Sequence, residues 1–168
     1  LPDNRARGTF VSDHVELLTK LGHEVKVLNT LPRMLKMQEA RRSTMEGVAK
    51  APKSFNHGDF EVTVKRHWEF PEFPSMTALS ARRINFNWQP DVVICHTLWP
   101  CGYTAQKIAK KYSVPWIAIV HGYDFDVALN DYRAKRIESL AKSANKLVVV
   151  SNSLSRFSSS TIPCHVNV

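Results

Sequence analysis

The sequence predicts an α/β fold with a doubly wound, mainly parallel sheet flanked by helices. Apolar runs of strand length alternate along the 168 residues with segments of helical period. The runs at 91–96, 115–120 and 146–150 are dominated by Val and Ile, as expected of strands covered on both faces. Repetition of strand, helix and strand then implies right-handed crossovers in an open sheet.

Taken in chain order, residues 8–21 carry a helical pattern that stops at Gly22, a residue suited to the position just past a helix end. Residues 23–29 (HEVKVLN) read as a strand, and 30–59 form the least regular stretch, basic and containing Met. A second strand follows at 60–66 (FEVTVKR), then an aromatic loop at 67–74 (HWEFPEFP). A weaker helix at 76–88 sets Ala81, Ile84 and Trp88 on one side. After the strand at 91–96, a helix over 102–112 aligns Ala105, Ile108, Ala109 and Tyr112, while Lys107, Lys110 and Lys111 face away. The strand at 115–120 leads to a helix at 132–144 with Ile137, Leu140, Ala141 and Ala144 on one stripe. Strands at 146–150 and 162–168 complete the pattern.

Composition narrows the class. Hydrophobic residues make up 43% and charged residues 23%, which suits one globular domain large enough to bury a core. No apolar run approaches the roughly 20 residues that cross a bilayer, and no basic-then-apolar leader opens the sequence. Cys95, Cys101 and Cys164 are odd in number and form no Cys-x-x-Cys pair. That argues against a disulfide framework or a structural zinc, and favours the cytoplasm. The opening Leu1-Pro2-Asp3-Asn4 reads as a loop feeding a helix, where an open sheet usually starts with a strand. Residues 1–168 are therefore expected to form a single domain whose first strand is missing.

In open α/β sheets, ligands bind at the carboxyl ends of the strands. Four loops qualify. Gly8 and Thr9 open the first helix, where free N–H groups suit a phosphate, although a plain turn has the same pattern. His96 and Thr97 end an apolar strand and lead into Gly102 and Tyr103; His96 is either a site residue or a hydrogen-bonded core histidine. The third loop is the most informative: a buried strand runs directly into His121-Gly122-Tyr123-Asp124. His121 can exchange a proton or bond a phosphate oxygen, and Asp124 either orients it or caps the next helix. In the fourth loop, Ser151 reads as a helix cap.

These pieces, in this order, resemble the N-terminal domain of glycosyltransferase family 4, the retaining enzymes of GT-B fold. The resemblance rests on Gly8-Thr9-Phe10-Val11, on Leu17 through Val27, and on Pro90-Asp91-Val92-Val93-Ile94. It continues through Gly102-Tyr103, Val114-Pro115, His121-Gly122-Tyr123-Asp124 and Lys146 through Ser153, and so covers essentially the whole chain. It implies a Rossmann-like half of a GT-B pair that binds a glycan or lipid-linked acceptor. A second domain, absent from this sequence, would bind a nucleotide sugar. It implies no obligatory metal and no cofactor. His121 would take the place of the family histidine beside the reacting sugar, with Asp124 carried over alongside it as a catalytic candidate. Gly8 and Thr9 would lie near the donor diphosphate, and His96, Thr97, Tyr103 and Gly122 would line the acceptor cleft. Arg7 stands where many members have a further glycine.

The net charge of +8 attracts anionic partners of several kinds. Between Leu31 and Lys53, Arg33, Lys36, Arg41, Arg42, Lys50 and Lys53 are interleaved with Leu31, Met34, Leu35, Met37 and Met45. This stretch is either an interfacial helix for an anionic membrane, at the inner face, or a solvated surface. Flotation with anionic and neutral vesicles distinguishes them. No RNP-like or helix-turn-helix signature supports a specific nucleic-acid partner. A non-catalytic acceptor- or membrane-binding subunit, completed by a partner chain, is the alternative to an enzyme half.

Overall fold

The computed structural model describes residues 9–33, 48–70, 72–122, 124, 132–150 and 166–167. Gly8, the central part of the basic stretch (34–47), Tyr123, residues 151–153 and the first part of the strand expected over 162–168 lie outside the described residues. The chain divides into two units, Leu1–Glu69 and Phe70–Val168.

In the first unit, helix α1 (Thr9–Lys20) ends where the sequence expects it to. Gly22 has φ 88°, the His23 N–H donates to Leu18 O at 3.1 Å and the Gly22 N–H to Thr19 O at 2.9 Å. That pair of bonds is a Schellman motif, which needs a left-handed residue at Gly22. Strand β1 (Val27–Pro32) runs parallel to β3 (Phe60–His67), from Val27 opposite Val62 to Pro32 opposite His67. The expected strand at 23–29 has thus moved toward the C-terminus. Val62 lies just after the start of β3, so the residues ahead of Val27 have little strand to pair with, and the ladder decides the boundary.

Strand β2 (Ser54–His57) falls in the stretch read from sequence as irregular. It pairs antiparallel with β3 through a two-residue turn at Gly58-Asp59, with Gly58 at φ 58°. Gly at the first position of such a loop suits the twist of a hairpin. The Arg66 guanidinium donates to Val48 O at 2.8 Å, to Ala51 O at 2.9 Å and to Pro32 O at 3.3 Å, tying the turn at 48–51 to the end of β1.

The second unit contains α2 (Pro74–Arg82), β4 (Val93–His96), α3 (Cys101–Tyr112), β5 (Trp116–Val120), α4 (Ala134–Ser143), β6 (Lys146–Val149) and β7 (Val166–Asn167). Its sheet has the order β4-β5-β6-β7, and every pairing is parallel. This is the α/β architecture expected, a Rossmann-like parallel sheet with flanking helices. Leu98, Trp116, Ala118, Val120, Ile137, Leu140 and Leu147 form the centre of its core. The expected stripes on α3 and α4 supply Ala105, Ala109, Ile137, Leu140 and Ala141 to it.

Helix α2 stops six residues short of the expected 76–88. The Thr104 hydroxyl donates to Ala81 O at 2.9 Å and the Lys107 ammonium to Ile84 O at 3.1 Å, so α3 satisfies carbonyls that a longer helix would have used. Ile84 is buried all the same. Asn145 closes the start of β5: its Oδ1 accepts the Trp116 N–H and its own N–H returns to Trp116 O, both at 2.9 Å. Among the described residues no helix is long and apolar enough to cross a membrane.

Candidate functional site

Because β4 and β5 are hydrogen-bonded neighbours, with His96 opposite Ile119, their carboxyl ends open side by side. Consecutive parallel strands place their outgoing loops together, and this is where an open sheet takes a ligand. Thr97 extends the ladder by one bond, its N–H donating to Ile119 O at 3.0 Å, and then turns the chain at φ 68°. A β-branched residue in the left-handed region is strained by about 1–3 kcal/mol. The Cys95 thiol helps hold it there, donating to Thr97 O at 3.1 Å. Burial, with the nearby Cys101 and Asp124, pushes the Cys95 thiol well up from its ordinary range, so it is a neutral donor and not a nucleophile.

Asp124 is completely buried. Its Oδ1 accepts the Leu98 N–H at 2.9 Å and its Oδ2 the His121 N–H at 3.4 Å, and the Trp99 N–H also donates to it. The Asp124 N–H in turn donates to His121 O at 3.0 Å. One carboxylate therefore ties the loop after β4 to the loop after β5. Burial pushes its carboxyl up from the usual range, against the opposing pull of these N–H groups and the positive charge of Arg133.

His121 is half-buried just beyond the end of β5, and burial holds its imidazole below the ordinary value. At neutral pH it is an uncharged donor and acceptor. Its Nε2 lies 3.4 Å from Nδ1 of His96, and the two ring planes differ by 20°. Gly122, also half-buried, follows it.

The structure thus brings together His96, Thr97, His121 and Asp124 of the residues singled out from sequence, with Gly122 adjoining. Tyr103 points into the core instead, with Trp99 edge-on at 6.0 Å and the Arg82 guanidinium 4.7 Å from its ring centre. Thr9 opens α1 in the first unit. Sequence reasoning missed Leu98 and Trp99, whose contribution is a backbone N–H that no side-chain pattern reveals. It also missed the contact between His96 and His121, which the expected adjacency of their strands could have suggested.

A comparison with protein-family models finds one for Glycosyltransferase Family 4 over residues 8–164. No curated protein matches the chain. The family match spans nearly the whole sequence, takes in both histidines and the buried aspartate, and accords with the parallel α/β sheet: the chain belongs to glycosyltransferase family 4.

Proposed function

We propose that this chain is the acceptor-binding half of a retaining glycosyltransferase, which moves a sugar from a nucleotide-sugar donor to a glycan or lipid-linked acceptor in polysaccharide or glycolipid assembly. The supporting observation is His121, an uncharged, half-buried imidazole at the carboxyl end of β5, in a chain that belongs to glycosyltransferase family 4. A neutral imidazole can donate its one N–H to a sugar hydroxyl or a phosphate oxygen without bringing a full charge into the cleft. Asp124 contributes by fixing the His121 backbone and the loop after β4, both of which form the floor on which an acceptor would rest. His96, Thr97 and Gly122 line that floor. Gly8 and Thr9 are assigned to the donor phosphates on the family resemblance alone.

The reaction is tested by incubating the enzyme that carries this chain with a panel of uridine, guanosine and adenosine diphosphate sugars and candidate acceptors. Release of nucleoside diphosphate and the anomeric configuration of the product are followed by NMR. Acceptor-dependent release with the donor's anomeric configuration kept is expected. Inversion would refute the retaining assignment, and failure of every donor to turn over would favour the non-catalytic alternative.

A further inference from the structure

Two imidazoles from neighbouring strand ends meet, and the proposed reaction leaves their contact unexplained. His96 Nδ1 and His121 Nε2 are 3.4 Å apart, and the ring centroids are 5.7 Å apart. The centroid separation is the nitrogen contact lengthened by one ring radius at each end. The two nitrogens therefore lie close to the line joining the rings, whose planes differ by 20°. This is the geometry of an edge-to-edge N–H···N bond and not of face-to-face stacking.

Such a bond needs one N–H and one lone pair. Either His96 Nδ1 donates, leaving His121 protonated on Nδ1, or His121 Nε2 donates to an unprotonated His96 Nδ1. Protonating both rings would set two N–H groups against each other and place like charges in contact. Other titratable groups lie on the elements around the pair. Cys95 on β4 is a buried neutral thiol beside Cys101 of α3. Asp124 faces the His121 backbone N–H and the loop after β4, and Arg133, just before α4, acts on Asp124.

We propose that His96 is a positioning residue for His121. Its Nδ1 fixes the tautomer and ring plane of His121, and the pair binds a first proton well before a second. The consequence for turnover rests on the function proposed above, while the coupling of the two rings does not.

Nitrogen-15 NMR of the histidine rings in the chain tests this without an activity assay. In the parent, His121 should show the signals of one fixed tautomer near neutral pH. The pair should titrate in two steps separated by more than about one pH unit, as coupled sites do. In His96→Ala the His121 signals should move to the averaged positions of mixed tautomers, and the two steps should collapse to one. In His96→Asn, whose side-chain amide reaches the position of Nδ1, the single tautomer should return. An unchanged tautomer and midpoint for His121 in a folded His96→Ala would overturn the proposal. Should that variant fail to fold, mixed tautomers in His96→Asn would overturn it equally. Full turnover in a His121→Ala enzyme, with the parent's ring signals as expected, would instead remove the catalytic reading and leave the coupling intact.

Discussion

Asp124 does at the residue scale what several ordinary contacts would do elsewhere. Its carboxylate satisfies backbone N–H groups of Leu98, Trp99 and His121 in a site closed to water. Removing it strands those donors, and each buried unsatisfied donor costs about 1–3 kcal/mol. Asp124→Ala should therefore lower stability by about 2–4 kcal/mol in chemical denaturation, and an unchanged midpoint would show the loops hold without it. His67, at the end of β3, is the opposite case. It is 2% exposed, and its Nδ1 has no hydrogen-bond partner among the described residues. Burial lowers its pKa from 6.5 to about 4. A histidine whose folded pKa lies below its unfolded value contributes stability above the unfolded pKa and loses it as pH falls toward the folded one. The chain should lose up to about 3 kcal/mol between pH 6.5 and 4 from this group. Denaturation across that range should show a flatter acid limb in His67→Leu, and parallel limbs would contradict the assignment.

At the scale of elements, boundaries follow hydrogen bonds more than propensity. The end of α1 was legible because only a residue free to adopt positive φ closes a Schellman motif, and Gly22 is such a residue. Gly22→Ala should cost about 1 kcal/mol although its Cβ meets nothing within 4 Å, because the cost lies in the backbone. A denaturation midpoint equal to the parent's would contradict this. The strands of the second unit were legible from their Val and Ile runs, in which Ala118, Val120, Leu147 and Val149 are buried while Ile94, Ile117, Ile119 and Val148 are half-buried. Strand β2 was not: Ser54-Phe55-Asn56-His57 offers one apolar side chain, although Gly58-Asp59 was a turn signal that could have exposed the hairpin. The early end of α2 was hidden for another reason, since it depends on Thr104 and Lys107 reaching in from α3.

Across the whole molecule, the candidate site was read from one rule, that parallel strands present their ligands at their carboxyl ends, and from the His-Gly-x-Asp run at 121–124. That reading located His96, Thr97, His121 and Asp124 on adjoining loops. It could not foresee that Asp124 turns inward to the backbone or that Tyr103 packs into the core, because both depend on how side chains fill the space beneath the loop after β4. In the second unit a parallel sheet carries a loop pair held by one carboxylate, with the half-buried His121 imidazole beside it. The most direct test of the proposed function is turnover by His121→Ala in the enzyme carrying this chain, with the sugar donor that the parent turns over. There kcat should fall by about a hundredfold or more while the denaturation midpoint stays at the parent's value. Near-parent kcat in that folded variant would contradict it.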